Sequence, residues 1–287
     1  MVLLALSDDA LGVVFEGLRN VLDPRVVVQG ASSCKGLRAL TQALLQQLRA
    51  EYDVAVALCR KMGMRSCKEL REAKAVNWFN KRLTAVDLAT LATLVLPALE
   101  RLTLHESSAG AVVPDGVQRL AAGLGAGALP AVTVLTIGNM HMGDAGASAL
   151  AAALGRGALP RLKFLNLYSC GIGDAGLVAL APALRRLPGL NSLDLMSNPL
   201  GDEGVAALVA SPPLAGAPPP PTEVLTKLMV LYLSSTQITD AGCAALAAAL
   251  DGAALPALKT LYLQGIPASA AAKAAVRKIM LDRRPGH

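Results

Sequence analysis

Four aspartates recur in one short motif along the chain of 287 residues, and they are the first candidates for chemistry. They stand in Gly-Asp-X-Gly segments, or once in Thr-Asp-X-Gly, at Asp144, Asp174, Asp202 and Asp240. Repeated carboxylates could bind a divalent cation. However, each one begins an Ala- and Leu-rich run with helical spacing, where a carboxylate accepts hydrogen bonds from the free amides of a helix start. We therefore expect four helix caps and no metal site.

Catalysis by side chains requires several reactive groups that converge on one point. The chain has three histidines, His105, His141 and His287. It lacks the sequence motifs of serine hydrolases, P-loop nucleotide-binding proteins and zinc proteases. His105 could act as a base, but the residues around it match no catalytic motif of acid, base and nucleophile, so we expect a surface histidine there. The sequence therefore predicts a protein that is not an enzyme and that carries no cofactor.

The five cysteines are scattered and have no Cys-X-X-Cys spacing, which argues against a disulfide framework and against a zinc site. Reduced thiols are typical of the cytosol and the nucleus. No segment has the length and apolar character of a membrane span, and the first residues lack the basic region of a secretory signal. We therefore expect a cytoplasmic protein, with the nucleus as the alternative, and no membrane partner.

The net charge of +6 is concentrated between Lys35 and Arg82, where eleven Lys and Arg residues stand against four acidic ones. Nucleic-acid binding is one interpretation of such a segment. The segment has no glycine-rich loop and does not interleave its basic residues with aromatic ones. We therefore interpret it as a solvated helical face and expect no nucleic-acid partner.

A phrase of the form L-x-x-L-x-L occurs six times, and it shows how the chain is built. The copies start at Leu99, Val132, Leu162, Leu190, Leu228 and Leu258. A degenerate seventh copy precedes them at Val76 and Trp78. In each copy the alternation of apolar and polar residues predicts a strand, and the run that follows the aspartate motif predicts a helix. Each unit is therefore one strand and one helix, about 28 to 30 residues long.

One such unit cannot bury its own apolar side, but stacked units can. Because helices need more room than strands about 4.8 Å apart, the stack must curve with the strands inside. Over about residues 75–266 the repeats resemble leucine-rich repeats of the ribonuclease-inhibitor-like class. We therefore expect an α/β fold, a curved solenoid with a parallel sheet on its concave face, preceded by a small α-helical N-terminal region. The predicted division is into residues 1–62 and residues 63–287.

Two further segments of the repeat region are distinctive. The fourth interval is lengthened to 38 residues by a proline-rich segment, 211–221, which cannot be helical and is predicted to be a loop. A proline-rich ligand is the alternative interpretation of it. Near the C-terminus, "ASAAAKAAVRKIML" predicts a helix that caps the solenoid.

The concave face is the predicted binding surface, because no helices cover it. Alternation places the variable residues beside the leucines on that face, 21 positions in all, and five of the eight aromatic residues of the chain fall among them. Exposed aromatic residues are enriched where proteins bind proteins; the alternative is that Tyr and Phe simply favour strands. The candidate contact residues are Phe79, Arg101, His105, Phe164, Asn166, Tyr168, Asp194, Met196, Tyr232 and Tyr262.

Residues 6–40 resemble an F-box, with apolar helix positions followed by an Asp-Pro break. F-box proteins dock the Skp adaptor of cullin–RING ubiquitin ligases and hold a substrate with a second domain. The resemblance implies a substrate-recognition subunit that contacts the adaptor through Leu11, Val14, Phe15, Leu18 and Pro24. We expect the chain to be a monomer. The alternative is a general leucine-rich repeat binding or scaffold protein with a helical N-terminal cap. A GTPase activator is less favoured, because the tail is basic where such a protein would have an acidic one.

Overall fold

A computed structural model describes residues 35–106, 114–125, 129–209, 225–252 and 254–283, in which strands and helices alternate after two initial helices. The helices are α1 (Lys35–Lys61), α2 (Cys67–Glu72), α3 (Ala85–Thr93), α4 (Pro114–Gly123), α5 (Gly143–Gly155), α6 (Asp174–Arg185), α7 (Asp202–Val209), α8 (Asp240–Asp251) and α9 (Ala270–Asp282). The strands are β1 (Ala75–Phe79), β2 (Arg101–His105), β3 (Val134–Gly138), β4 (Phe164–Asn166), β5 (Ser192–Asp194), β6 (Val230–Tyr232) and β7 (Thr260–Tyr262).

The seven strands form one parallel sheet in the order of the sequence, from β1 to β7. Equivalent leucines of neighbouring copies are paired directly, as Leu165 is with Leu135 on one side and with Leu193 on the other. The degenerate first copy follows the same register, because Val76 pairs with Leu102. The predicted fold class, a leucine-rich repeat solenoid with a parallel sheet on its concave face, is confirmed.

The core of the solenoid lies between the sheet and the layer of helices. The repeat leucines of the described strands point into it and are almost fully buried, apart from Leu261 and Leu263 in the last unit. Each helix from α3 onward packs against the helix of the next unit, so every unit depends on its neighbours for burial. Burial of a leucine side chain contributes about 2 kcal/mol, and this term, repeated in every unit, dominates the stability of the stack.

The aspartate motif links each unit to the next one, which differs from the expectation that each aspartate caps its own helix. Asp174 lies in the first turn of α6, yet its Oδ1 accepts hydrogen bonds from the amides of Gly201 (2.6 Å) and Gly204 (2.9 Å), at the start of α7. Asp144 binds the start of α6 in the same way, Asp202 binds the start of α8, and Asp240 binds the amide of Ser269 just before α9. We call these four residues the aspartate ladder.

The second glycine of the motif makes room for the aspartate ladder. A Cβ atom added to Gly204 would lie 2.7 Å from Asp174 Oδ1, and one added to Gly176 would lie 2.5 Å from Asp144 Oδ1. Real Cβ atoms do not approach other heavy atoms so closely. The glycine therefore allows a carboxylate of one unit to reach the helix start of the next.

The two helices that precede the sheet are attached to the first unit. The ammonium group of Lys61, the last residue of α1, forms an ion pair with Asp87 of α3 and donates a hydrogen bond to the carbonyl of Arg82 (2.7 Å). Burial opposes ionisation of Asp87, but hydrogen bonds from Lys61 and Thr84 outweigh it and lower its pKa. The connection between α1 and the first repeat is therefore electrostatic as well as apolar.

Two predicted features lie outside the described residues, and a third, the C-terminal helix, lies within them. The F-box-like positions Leu11, Val14, Phe15, Leu18 and Pro24 lie outside them, and so does the proline-rich segment 211–221. The predicted C-terminal helix corresponds to α9, which begins after Ser269 and packs against α8.

Candidate functional site

The concave face consists of three columns of side chains that run across the sheet from strand to strand. Because the strands are parallel and in register, equivalent residues of successive units are neighbours. The first column contains Arg101 and Phe164, and the second contains Asn166, Asp194, Tyr232 and Tyr262. The third contains Phe79, His105, Tyr168 and Met196. All ten predicted contact residues thus lie in these columns, while their role in binding stays a prediction.

An aromatic ladder occupies the third column at the β1 end of the sheet. The ring of Phe79 is 53% exposed and stacks on His105, with ring centroids 4.2 Å apart and planes 2° from parallel. Tyr168 covers the other side of His105, with its centroid 5.5 Å away. The three rings form one continuous surface that spans β1 to β4.

Gly138 allows the rings of His105 and Tyr168 to come into contact. It occupies the third column between His105 and Tyr168, and a Cβ atom there would lie 2.8 Å from Tyr168 Cζ and 2.9 Å from His105 Cδ2. A glycine inside a strand often marks such a close approach. Gly138 therefore lets the Tyr168 ring lie over the backbone of β3 and reach His105.

His105 is not the surface histidine that the sequence suggested. Its exposed fraction is only 8%, because the rings of Phe79 and Tyr168 lie on its two sides. Its Nδ1 atom is buried and has no hydrogen-bond partner among the described residues. Its position makes His105 part of the stacked surface, and no nucleophile or acid of the described chain is bonded to it.

A second aromatic pair lies at the other end of the sheet. Tyr232 of β6 stacks on Tyr262 of β7, with ring centroids 4.6 Å apart and planes 6° from parallel. The strand register pairs these two residues directly, and a stacked aromatic pair contributes about 0.5 to 1.5 kcal/mol beyond its buried area. Both rings are partly exposed. They form a second flat apolar patch on the concave face.

Asn166 and Asp194 lie between the two aromatic patches and shape the strand ends. Asn166 Oδ1 accepts a hydrogen bond from the amide of Tyr168 (3.0 Å), and Asp194 Oδ1 accepts one from the amide of Met196 (2.9 Å). Each side chain thus binds the backbone two residues ahead of it, which turns the chain at the end of the strand. This turn places Tyr168 and Met196 in the third column.

Asp194 is also the acidic member of a depression of about 400 Å³ at the centre of the face. Phe164, 45% exposed, and Tyr232 stand on opposite sides of it. Partial burial raises the pKa of the Asp194 carboxyl, and the hydrogen bond from Met196 only partly compensates. Burial also raises the pKa of Tyr168, with smaller contributions from Cys170 and Asp194.

The described cysteines are not suited to chemistry. Burial raises the pKa of Cys170 to about 12, and its Sγ lies 3.0 Å from the carbonyl oxygen of Ile137. Burial and the neighbouring Cys67 raise the pKa of Cys59 to about 12. Because the thiolate is the nucleophilic form, these thiols are unreactive near neutral pH. They serve as small buried residues of the core.

Two buried polar residues were not singled out from the sequence. Asn198 Oδ1 accepts from the amides of Cys170 and Ile172, both at 3.0 Å, and its Nδ2 donates to the carbonyls of Leu167, Leu195 and Met196. Glu106 Oε1 accepts from the amide of Leu83 (2.9 Å). A signal for Asn198 existed, since polar or small residues recur at its position, two residues before an apolar one, as Cys170 and Thr236 do.

No group of three or more His, Cys, Asp or Glu side chains with the geometry of a metal site occurs within residues 35–106, 114–125, 129–209, 225–252 and 254–283. In the same parts of the chain, no helix is both long and apolar enough to cross a bilayer. The aspartate ladder, which was the first candidate for chemistry, is engaged by backbone amides.

Comparisons with known proteins agree with the repeat architecture. A family model described as leucine-rich repeat matches residues 159–181, 188–209 and 224–247, so the chain contains leucine-rich repeats. A search of curated proteins found no match.

The solved structures to which the chain is similar are distant from it in sequence. The leiomodin-1 actin-binding site 2 is 16% identical with a TM-score of 0.43, and the alignment covers 60% of this chain and 89% of that one. The tropomodulin C-terminal domain of Caenorhabditis elegans is 18% identical with a TM-score of 0.39, and 52% and 82% are covered. An internalin of Listeria monocytogenes is 14% identical with a TM-score of 0.22, and 78% of each chain is covered.

Proposed function

We propose that this chain is a non-catalytic protein-binding module, a monomer of the cytoplasm or nucleus, whose partner lies across the concave face of the sheet. The observation that carries the proposal is the pair of aromatic patches, Phe79–His105–Tyr168 and Tyr232–Tyr262, on the sheet face that no described helix covers. Aromatic side chains are the residues that most often dominate the free energy of protein association. The leucine-rich repeats themselves are typical of such modules.

The stacked geometry supports binding because it lowers the entropic cost of association. A ring that already stacks on a neighbour loses little rotamer freedom when a partner covers it, and pre-ordered side chains bind with a smaller penalty. Phe79 and Tyr168 are ordered by His105, and Tyr232 is ordered by Tyr262. The concave face is therefore rigid and apolar at both ends before any partner arrives.

Quantitative affinity capture tests the proposal. The tagged full chain, a Tyr232→Ala/Tyr262→Ala variant and a Val178→Ala control would be used on the same cell extract, with the co-purifying proteins measured by mass spectrometry. Val178 is an exposed apolar residue of α6, on the helical side. We expect specific partners to be reduced at least about tenfold by the double substitution, since each hot-spot residue contributes about 2 kcal/mol, and unchanged by the control.

Circular dichroism would verify that all three proteins are folded. If the double variant retained the same partners in the same amounts, the concave face would not be the binding surface.

We propose further that residues 6–40 dock a Skp-type adaptor, which would make the chain a substrate-recognition subunit of a ubiquitin ligase. The F-box-like pattern of Leu11, Phe15 and Pro24 supports this, and so does the firm attachment of α1 to the first repeat by Lys61. Such an attachment would hold a bound adaptor at a fixed distance from the substrate on the concave face.

Co-purification of the full chain with a Skp adaptor tests this second proposal, with Phe15→Asp as the variant. A stoichiometric complex that the substitution abolishes while the repeats stay folded would support it. If no complex forms with the unmodified chain, the general binding or scaffold function remains, with the N-terminal helices as a cap.

A further inference from the structure

We propose that the depression around Asp194 binds a lysine or arginine side chain of the protein partner, held between Phe164 and Tyr232. The inference rests on the proposed function, because it names the chemistry of the partner at the centre of the same concave face. Its evidence overlaps with that of the aromatic patches only at Tyr232, since it depends on the Asp194 carboxylate and on Phe164, which belong to neither patch.

The strand register gives the size of the site. Asp194 pairs with Asn166 on one side and with Tyr232 on the other, while Phe164 pairs with Ser192. Strands about 4.8 Å apart and residues about 3.3 Å apart along a strand place the Cα atoms of Phe164 and Tyr232 roughly 12 Å from each other. Asp194 lies between them at the base. The gap is wide enough for one long side chain to enter with a ring on each side.

The negative charge of Asp194 determines that the side chain which enters the depression must be positively charged. Among the described residues that line the depression, Asp194 is the only ionisable acid or base apart from the Tyr232 phenol. The others, which include Thr136, Asn166 and Ser192, are neutral. Asp194 Oδ1 is held by the amide of Met196, and no other hydrogen bond or ion pair to Asp194 exists within the described part of the chain. A neutral apolar group that covered the depression would desolvate this carboxylate without compensation, which is costly.

The aromatic residues favour an organic cation over a metal ion. Phenyl and phenol rings attract ammonium and guanidinium groups through their faces and also pack on the methylene stem of Lys and Arg. A divalent metal would need several oxygen ligands, and the described residues contain no group of three acidic or metal-binding side chains. A basic side chain satisfies the carboxylate and both rings at once.

A peptide selection tests the inference directly. A phage-displayed library of random peptides would be selected against the full chain, against Asp194→Asn and against Asp251→Asn. Asparagine preserves the oxygen that accepts from Met196, and Asp251 is an exposed acid at the end of α8, away from the sheet. We expect Lys and Arg to be enriched in peptides selected by the unmodified chain and by the Asp251 variant, and not in those selected by Asp194→Asn.

One selected peptide would then be synthesised with its arginine and, separately, with citrulline, which has the same shape without the charge. We expect citrulline to weaken binding to the unmodified chain about 10- to 100-fold, because hydrogen bonds between charged groups are the strong ones. It should have almost no effect on Asp194→Asn. An effect of citrulline that depends on the Asp194 carboxylate would show that the basic side chain of the peptide binds to Asp194.

The outcomes separate this inference from the proposed function. The inference would be overturned by peptides that bind Phe164→Ala more weakly than the unmodified chain but carry no basic residue. It would also be overturned by peptides that bind as tightly with citrulline as with arginine. Both outcomes would leave the concave binding face intact. Peptides that are insensitive to Phe164→Ala and to Tyr232→Ala, or a selection that yields none, would count against both. Basic peptides whose affinity ignores Asp194→Asn would place the cation elsewhere and overturn the inference alone.

Discussion

Replacing Asp174 by alanine should destabilise the solenoid at one junction between two units. The carboxylate of Asp174 accepts two hydrogen bonds from the amides of Gly201 and Gly204, at the start of the following helix α7. Without it, those amides lose their acceptor, and the positive end of α7 loses one of its negative charges, while Asp202 and Glu203 of its first turn remain.

The size of the effect follows from these contacts. Loss of a helix N-cap costs about 0.5 to 2 kcal/mol, and hydrogen bonds to a charged group contribute about 1.5 to 3 kcal/mol each before water replaces them. Because Asp174 is partly exposed, water can compensate one of the two amides in part. We therefore expect the free energy of unfolding to fall by about 2 to 3 kcal/mol. With a denaturant slope of about 2 to 3 kcal/mol/M, the urea midpoint should fall by about 1 M.

Urea denaturation followed by circular dichroism measures this change. Asp251→Ala is the matched control, because Asp251 is an exposed acid at the opposite, C-terminal end of helix α8. Removal of the Asp251 carboxylate should not lower the free energy of unfolding, since a negative charge at the C-terminal end of a helix opposes the helix dipole. If Asp174→Ala and Asp251→Ala had the same urea midpoint, the aspartate ladder would not contribute to stability.

A second substitution makes the test sharper. Gly204→Ala should destabilise the protein with Asp174 in place, because the new Cβ would lie 2.7 Å from the carboxylate oxygen. In the Asp174→Ala background that contact disappears, and the higher helix propensity of alanine, about 1 kcal/mol, is offset by the remaining close contacts of the new Cβ with Leu177 Cβ at 3.2 Å and the Cα of residue 174 at 3.3 Å. The effect of Gly204→Ala should therefore fall to near zero. Purely additive effects of the two substitutions would refute the contact between the two units.

Three further predictions concern the core and the concave face. Asn198→Leu should lower the free energy of unfolding by about 3 kcal/mol in urea denaturation, because five backbone groups lose a buried partner; a loss below 1 kcal/mol would contradict this. Asp194→Asn should raise the urea midpoint at pH 7, because burial raises the pKa of Asp194 in the folded state and makes its charged form unfavourable there. The gain in stability should vanish below about pH 4, where the carboxyl is protonated in both the folded and the unfolded state. A gain in stability that is independent of pH would contradict this cause. Cys170 should stay unmodified by iodoacetamide at pH 8 in the native protein, as mass spectrometry of the labelled peptides can show, and rapid labelling would mean that its thiol is exposed.

The register of the sheet could be predicted from the sequence because the residues of the repeated leucine phrase are the ones that are buried in every unit. Positions that recur as Leu, Val or Ile must face the same core, and a shift of one residue would expose every one of them. Even the degenerate first copy obeys this rule, since Val76 and Trp78 are both buried. The ends of the strands do not follow from the same phase, because β1 to β3 have five residues each and β4 to β7 have three.

The direction of the aspartate ladder could not be predicted from the motif alone. Asp174 lies in the first turn of its own helix and also close to the next helix start, and only the distance between neighbouring units decides between them. One signal was present in the second glycine of the motif. Gly204 has no role within its own helix, where it weakens helix formation, and its recurrence indicates that something approaches its backbone closely.

The burial of His105 was beyond sequence reasoning for a similar reason. Alternation along β2 places it on the concave face, where a histidine is normally exposed. Its neighbours decide otherwise, because Phe79 of β1 stacks on one side of its ring and Tyr168 reaches the other side over Gly138. Contacts between side chains on one face depend on ring orientation and on a missing Cβ, and neither is visible in a pattern of apolar and polar residues.

The aspartate ladder also bears on the order in which the chain is assembled during synthesis. Each acceptor belongs to the unit that leaves the ribosome first, and each set of amides belongs to the unit that follows. Starting a helix is the costly step of its formation, and an acceptor already in place reduces that cost. A folded unit therefore offers a hydrogen-bond acceptor to the next helix as that helix leaves the ribosome. Folding of the units in order from the N-terminus to the C-terminus is favoured over folding in the opposite order.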